Sequence, residues 1–143
     1  MTRLGTSVTI EMKRQAKKHQ ARNRRSADQR KAYLQGKVCA VCRCFPASEV
    51  HHIAGRNAKA RDSIAEQYEH IANWLPVCGM LGRNCHDIID KQSPALWACV
   101  AKMEMNELDL NHLKKLRDGK KFAVSLGDLH QAADDLESWR MER

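Results

Sequence analysis

The sequence predicts an α+β fold that is mainly helical, with a small two-stranded element between a basic N-terminal helix and a group of C-terminal helices. The last third of the chain places apolar residues at helical spacing, which predicts packed amphipathic helices. The middle of the chain contains two short runs, EVHHI and NWLPVC, that are typical of strands. Two pairs of cysteines accompany these runs. A metal bound by them would add the stability that a small core with few aromatic residues lacks.

The net charge of +8 lies entirely in the N-terminal third of the chain. Residues 1–43 contain 12 basic and two acidic side chains, whereas the remaining hundred residues carry 13 basic and 15 acidic ones. This asymmetry favours a polyanionic partner, and nucleic acid ranks ahead of a membrane because the basic segment has almost no bulky apolar face. No run of 18 apolar residues and no secretory signal pattern occurs. We therefore expect a cytoplasmic protein.

The N-terminal arm, residues 1–37, is expected to form a basic helix. Between Ser7 and Gly36 it is rich in Lys, Arg, Gln and Ala and contains no Pro and no internal Gly. A helix this polar is marginal alone and would become ordered against DNA or against the rest of the chain. A solubilising arm without a specific partner is the alternative. Six basic residues of the arm are candidate DNA contacts: Lys13, Arg14, Lys17, Lys18, Arg24 and Arg25.

Residues 38–92 form the predicted core. The sequence CAVC predicts a tight turn, and the two strands follow it. Between the strands, residues 56–70 predict a loop followed by one helical stretch. A short helix is expected to begin at NCHDIID. The core therefore has the order turn, strand, loop with helix, strand and helix.

Residues 93–143 form the predicted helical C-terminal region. Ser93 and Pro94 suit the N-cap and the first position of a helix, and apolar residues follow at helical spacing. A last helix is predicted over residues 128–140, with Asp128 as its N-cap. This region is expected to pack on the core, and it could also form a dimer face or dock a partner.

The six cysteines predict a metal site rather than disulfides, because thiols stay reduced in the cytosol. Two pairs could complete one tetrahedral, structural Zn²⁺ site: Cys39 with Cys42, and Cys78 with Cys85. Cys44 is an alternative ligand, and Cys99 lies on an apolar helical face where a buried small side chain is expected. A redox-active Cys-x-x-Cys is disfavoured because no βαβ pattern precedes the first pair.

A histidine constellation lies between and beside the cysteine pairs. His51 and His52 are adjacent on a predicted strand, so their side chains project to opposite sides, and one could hold a cation while the other faces substrate. His86 and Asp90 are four residues apart on a predicted helix and could meet the same cation. Asn73 stands just ahead of the second cysteine pair.

These residues, in the order VHHI, Asn followed by WLPVC, and Cys-His, resemble the three parts of an HNH endonuclease of the zinc-bearing type. The resemblance covers about residues 38–91. It implies a ββα-metal fold, in which two antiparallel strands and a helix surround one divalent cation and two cysteine knuckles support them. Small basic HNH proteins of this layout are typical of phages and prophages, which implies a bacterial or phage-infected cell.

The resemblance also implies a role for each matching residue. His51 resembles the first metal ligand, and His52 resembles the general base. Asn73 resembles the central asparagine, which orients the base and braces the loop between the strands. His86 resembles the metal ligand on the helix, and Asp90 stands where the family often has a further ligand.

Two departures from the family pattern bear on these assignments. The second knuckle has six residues between its cysteines where the family usually has two, and a polar insert separates His52 from Asn73. The order of the motifs matches the family, but the third metal ligand is open: Asp87 and Asn84 are the alternatives to Asp90.

The activity implied is metal-dependent hydrolysis of DNA phosphodiester bonds that leaves 5′-phosphate and 3′-hydroxyl ends. His52 would take a proton from water. Mg²⁺ or Mn²⁺ held by the two ligand histidines and Asp90 would bind the scissile phosphate and stabilise the leaving 3′ oxygen. Nitrogen ligands also make Ni²⁺ or Zn²⁺ plausible occupants.

The DNA substrate could be duplex or branched. Four basic residues are candidate phosphate contacts beside the site, with an ordinary solvated loop as the alternative: Arg56, Lys59, Arg61 and Arg83. The competing function is a zinc-stabilised DNA-binding protein that does not cut, but such a module needs neither His52 nor Asn73. An RNA-binding protein is disfavoured because the chain has only two Phe, two Tyr and three Trp for base stacking.

Overall fold

A computed structural model describes residues 10, 12–14, 17, 24–54, 68–92, 95–116 and 124–142 of the chain. The chain divides into two compact units, Met1–Gln35 and Gly36–Arg143. In the first unit, residues 24–34 form a helix, as the composition of the arm predicts. The second unit contains the sheet, the remaining helices and all six cysteines. The fold is α+β and mostly helical, which confirms the predicted class.

The sheet consists of two antiparallel strands, β1 (Glu49–His52) and β2 (Trp74–Val77). Both strands lie where the two short runs predict them. In β1 the burial alternates, because successive side chains point to opposite faces of a strand. β2 is buried throughout, and His51 pairs with its Leu75. Pro76 is tolerated because a two-stranded sheet consists of edge strands only.

Within the described part of the second unit, four helices follow the sheet along the chain, and a 3₁₀ turn (Ile71–Asn73) leads into β2. Their bounds are α1 (Cys85–Asp90), α2 (Leu96–Glu104), α3 (Leu110–Leu116) and α4 (Leu126–Met141). α1 packs against β1, and α2 packs against α4 and β2. Most of the predicted loop and helical stretch at 56–70 lies outside the described residues, as does the predicted Ser93–Pro94 helix start.

The start of α4 corrects one prediction. The helix begins at Leu126, and its N-cap is Ser125, whose hydroxyl accepts a hydrogen bond from the Asp128 backbone N–H at 3.1 Å. Asp128 is therefore not the N-cap. It lies in the first turn, where a carboxylate interacts favourably with the helix dipole. The helix therefore begins two residues before its predicted start at residue 128.

One apolar core runs through the second unit, so the C-terminal helices and the sheet share it. β2 contributes Leu75 and Val77, and α2 contributes four consecutive buried residues, 98–101. Helices α3 and α4 add five further buried side chains: Leu113, Leu116, Leu129, Ala132 and Leu136. Among the described residues, no helix is both long enough and apolar enough to cross a lipid bilayer.

Arg140, near the end of α4, fastens that helix to the first cysteine turn. Its guanidinium donates to the carbonyls of Val41 at 2.6 Å and Ala40 at 3.0 Å. It also forms a two-pronged ion pair with Glu104 of α2, with N···O distances of 2.8 and 2.9 Å. Arg43 approaches the same carboxylate at 2.9 Å. The C-terminal helices therefore hold the turn that carries Cys39 and Cys42.

Candidate active site and metal centre

Four cysteines form one buried cluster, called the cysteine cluster below: Cys39, Cys42, Cys78 and Cys85. Their sulfur atoms all lie within 4.8 Å of one another, and the Cys42 and Cys78 sulfurs are 3.9 Å apart. All six cysteines of the chain are free thiols. The cluster could hold a structural metal ion, and it joins the first turn of the unit to β2 and α1.

The thiols of the cysteine cluster shift one another's pKa values. A hydrogen bond from Cys85 lowers the pKa of Cys39 to about 4. That same contact, together with burial, raises the pKa of Cys85, and burial raises the pKa of Cys78. One thiolate thus opposes ionisation of its neighbours, because several negative charges cannot share a buried site unaided. A bound cation would remove this opposition and allow all four to ionise.

The first knuckle is a tight turn closed by backbone hydrogen bonds. The Arg43 N–H donates to the Cys39 carbonyl at 3.0 Å, and the Cys39 N–H donates to the Phe45 carbonyl at 2.8 Å. Arg43 has a φ of 61°, the left-handed conformation that reverses the chain. The Ala40 N–H donates to the Pro76 carbonyl at 2.9 Å, which ties the turn to β2.

The second knuckle shows how six intervening residues are accommodated. The N–H groups of Gly82 and Asn84 both donate to the Gly79 carbonyl at 3.0 Å, so the chain folds back on itself. A side chain at Gly82 would lie 2.9 Å from the Cβ of Cys78, so only glycine fits this close approach. Asn84, with a φ of 56°, turns the chain into α1 and delivers Cys85. The long spacing therefore still forms a compact knuckle.

The two remaining cysteines lie apart from the cysteine cluster. Cys44 is exposed, and its thiol donates to the Cys42 carbonyl at 3.1 Å. Cys99 is fully buried in α2, where burial raises its pKa to about 12. The structure thus agrees with the expectation that Cys99 is a core residue.

A second group of possible metal ligands, called the histidine site below, comprises His51, His86 and Asp90. One ligand atom from each lies within 4.8 Å of the others, and the His51 Nδ1 is 3.9 Å from an Asp90 oxygen. The two imidazole rings meet edge to face, with centroids 5.4 Å apart. His51 is buried on β1, whereas His86 and Asp90 are partly exposed on α1. The packing of α1 on β1 therefore creates the site.

The histidine site opens onto a surface groove with a volume of about 550 Å³. Its walls include His86, Asp90 and Glu49, so His86 and Asp90 are reachable from solvent, whereas His51 is buried. Glu49 shares the face of β1 with His51, because residues two apart on a strand point the same way. One of its oxygens lies 3.6 Å from the His86 Nδ1. Glu49 is thus a further carboxylate at this site, and strand alternation is the signal that could have found it.

His52 lies on the other face of β1 and has its own partners. Its Nε2 forms a hydrogen-bonded ion pair with the Glu69 carboxylate. Its ring stacks on Tyr68, with centroids 4.4 Å apart and planes 2° from parallel. The orientation of the imidazole is therefore fixed by two residues that lie just before His70, the N-cap of the 3₁₀ turn. Sequence reasoning missed both, because Glu69 is 17 residues from His52 and no local pattern links them.

Asn73 is fully buried and holds together the two chain segments that lead away from the strands. Its side-chain oxygen accepts from the Ala54 N–H at 2.8 Å, and its amide donates to the Tyr68 carbonyl at 3.0 Å. Its backbone carbonyl accepts from the Ile53 N–H at 2.9 Å. These bonds set Tyr68, and with it the neighbouring Glu69, against His52.

Arg83, and the two alternatives to Asp90 as a metal ligand, Asp87 and Asn84, each have their own contacts. The Arg83 guanidinium lies over the Trp139 ring, 3.8 Å from its centroid, so part of it is covered by α4. Asp87 is exposed and pairs with Lys91 at 2.9 Å. Asn84 caps α1 through its backbone conformation.

The remaining predicted DNA contacts are only partly described. Arg56, Lys59 and Arg61 lie outside the described residues, as does Lys18. The other five candidates belong to the first unit and are exposed: Lys13, Arg14, Lys17, Arg24 and Arg25. Their contact with DNA stays a prediction.

Comparisons with protein-family models, with curated proteins and with solved structures found no match for this chain.

Proposed function

We propose that this chain is a metal-dependent endonuclease of the HNH type that hydrolyses DNA phosphodiester bonds. One observation carries the proposal. Three potential metal ligands converge beside an open groove, while the next residue on the same strand, His52, is held by its own carboxylate. A purely structural metal site needs no second, separately oriented histidine. A hydrolytic site needs both a cation and a positioned base.

The histidine site suits a divalent cation with open coordination positions. His51 and His86 offer imidazole nitrogens and Asp90 offers a carboxylate oxygen, a set that can bind Mn²⁺, Ni²⁺ or Zn²⁺ and, with water, Mg²⁺. Such a cation supplies Lewis-acid stabilisation to the scissile phosphate and to the leaving 3′ oxygen. The groove provides the path by which a phosphate reaches these ligands.

His52 is the proposed general base. Because its Nε2 faces the Glu69 carboxylate, the proton of the neutral imidazole belongs on Nε2 and the basic lone pair on Nδ1. Nδ1 accepts the proton of the attacking water, and the imidazolium that forms is stabilised by Glu69. Stacking on Tyr68 keeps the ring in one plane, so the base does not have to be ordered during the reaction.

The cysteine cluster is proposed to bind Zn²⁺. A tetrahedral zinc with Zn–S bonds of about 2.3 Å places its sulfurs about 3.8 Å apart. The distance of 3.9 Å between the Cys42 and Cys78 sulfurs suits that geometry. With four sulfur ligands the site has no open position, so its role would be to support β2 and the start of α1. The basic arm would add affinity for DNA without regard to sequence.

Cleavage of supercoiled plasmid and branched DNA tests the proposal. Zinc-loaded protein is incubated with each DNA in Mg²⁺ or Mn²⁺, beside His52→Ala and a matched control, His130→Ala. His130 is exposed on α4, so its variant should cut like the wild type. His52→Ala should lose at least about 100-fold in rate, the usual contribution of a general base. Binding without cleavage in every metal would instead support the DNA-binding protein that does not cut. Equal cleavage by both variants would overturn the role of His52.

A further inference from the structure

The second knuckle carries an apolar tip that the proposed chemistry does not use. Met80 and Leu81, called the knuckle tip below, are 88% and 102% exposed. Complete exposure of two adjacent large apolar side chains is unfavourable, because each leaves apolar area in contact with water. The pair belongs to the six residues between Cys78 and Cys85.

The knuckle tip is held firmly although it is exposed. Both ends of its loop are cysteines of the buried cluster, and two N–H groups donate to the Gly79 carbonyl beneath it. Gly82 packs against Cys78 and against Phe45 of the first knuckle. A rigid loop gives up little conformational entropy when it binds. The knuckle tip could therefore bind a partner without first becoming ordered.

The knuckle tip and the histidine site share one groove. Met80 and Leu81 line its wall together with His86 and Asp90. A DNA strand that follows this groove to the histidine site would therefore lie close to the tip. Glu49 also lines this groove and repels phosphates that no cation screens.

We propose that the knuckle tip is an apolar wedge that contacts the base stack beside the scissile phosphate, which makes easily unstacked DNA the preferred substrate. Bases and sugars are the apolar surfaces of DNA, and Leu and Met are among the side chains that proteins insert at base steps. A mismatch or a branch point loses less stacking when it opens, so it accepts the wedge more readily than a fully paired duplex. This inference rests on the proposed nuclease function for the position of the DNA.

The test uses a duplex that carries 2-aminopurine beside a single mismatch, and a fully paired duplex as reference. Zinc-loaded His52→Ala protein is used as the parent, so cleavage does not interfere. Met80→Gln/Leu81→Gln is compared with Leu126→Gln/Met141→Gln, a control with the same changes at two exposed positions of α4. Equal zinc content and circular dichroism show that all three proteins are folded, and Leu81→Gln alone provides a milder second variant.

The parent and the control should raise 2-aminopurine fluorescence on binding and should prefer the mismatched duplex. The knuckle-tip variant should lose this rise and bind the mismatched duplex about tenfold more weakly. This is the change expected when one or two apolar side chains are no longer buried against DNA on binding. An equal rise in the parent, the control and the knuckle-tip variant overturns the wedge. Binding by the parent without a rise overturns it too, as does an absence of binding by the parent. Unstacking by the parent, together with no plasmid cleavage by the wild type, would keep the wedge and refute the nuclease.

Discussion

Replacing Arg140 by alanine should clearly destabilise the second unit. The side chain joins three separate parts of the chain: it lies on α4, donates to the carbonyls of Ala40 and Val41, and pairs with Glu104 of α2. Only 8% of it is exposed to solvent. Arg140→Ala would therefore leave two backbone carbonyls of the first knuckle without this donor.

The size of the effect follows from these contacts. Hydrogen bonds from a charged donor contribute about 1.5–3 kcal/mol each, and the two to backbone carbonyls are the ones lost outright. The ion pair adds less, about 0.5–1 kcal/mol, because Glu104 is partly exposed and Arg43 remains beside it. Since such terms are not additive, we expect the free energy of unfolding to fall by about 3 kcal/mol, or the Tm by about 10 °C.

Urea denaturation of the metal-loaded protein measures this loss, and a chromophoric chelator measures the rate of metal release. Arg140→Ala should unfold at lower urea and release metal faster, because the turn that carries Cys39 and Cys42 is held less firmly. Glu137→Ala is the matched control: it removes an exposed partner of Arg140 at 3.3 Å and should cost less than about 0.5 kcal/mol. If Arg140→Ala lowers the free energy of unfolding no more than this control does, Arg140 does not hold the first knuckle in place.

Four further predictions concern the two sites and the arm. Gly82→Ala should lower both Tm and metal content, because the new Cβ would press on Cys78. The control Gly127→Ala on α4 should be neutral or slightly stabilising, because its Cβ would make only an ordinary contact of 3.9 Å with the Ser125 hydroxyl. Equal effects of the two changes would contradict the close-packed knuckle. If the cysteine cluster binds the proposed structural metal, a chelator should lower the free energy of unfolding by several kcal/mol, and an unchanged urea midpoint would argue against such a metal. Glu69→Gln should slow plasmid cleavage about tenfold or more at unchanged metal content, and a wild-type rate would remove Glu69 from the mechanism. Deletion of residues 1–35 should make the negative slope of log K for DNA against log [salt] shallower by about 5, since each of the six proposed phosphate contacts of the arm contributes about 0.9. An unchanged slope would rule out the arm as a DNA contact.

Local patterns predicted the elements that depend on local chemistry. The two short apolar runs became β1 and β2, and the two cysteine pairs came together as one buried cluster. His51 and His52 lie on opposite faces of β1 because strand geometry requires it. The convergence of His51, His86 and Asp90 follows the spacing read from the sequence.

Features that depend on tertiary contacts escaped prediction. Glu69 reaches His52 only because Asn73 ties together the chain on either side of residues 55–67. Arg140 reaches the first knuckle from about 100 residues away, and no periodic pattern marks it as different from any other basic residue of a helix. At the start of α4 the predicted cap, Asp128, lies inside the helix, because the Ser125 hydroxyl accepts a hydrogen bond from the Asp128 backbone N–H.

The source of the oxygen in the product tests the central claim most directly. A synthetic duplex is cleaved by zinc-loaded wild-type protein in H₂¹⁸O with Mn²⁺, and the fragments are weighed by mass spectrometry. If His52 activates water against phosphorus and the 3′ oxygen leaves, ¹⁸O appears in the 5′-phosphate and the other fragment ends in an unlabelled 3′-hydroxyl. His52→Ala should release little of either fragment. Absence of cleavage, label at the 3′ end, or unchanged cleavage by His52→Ala would contradict the account.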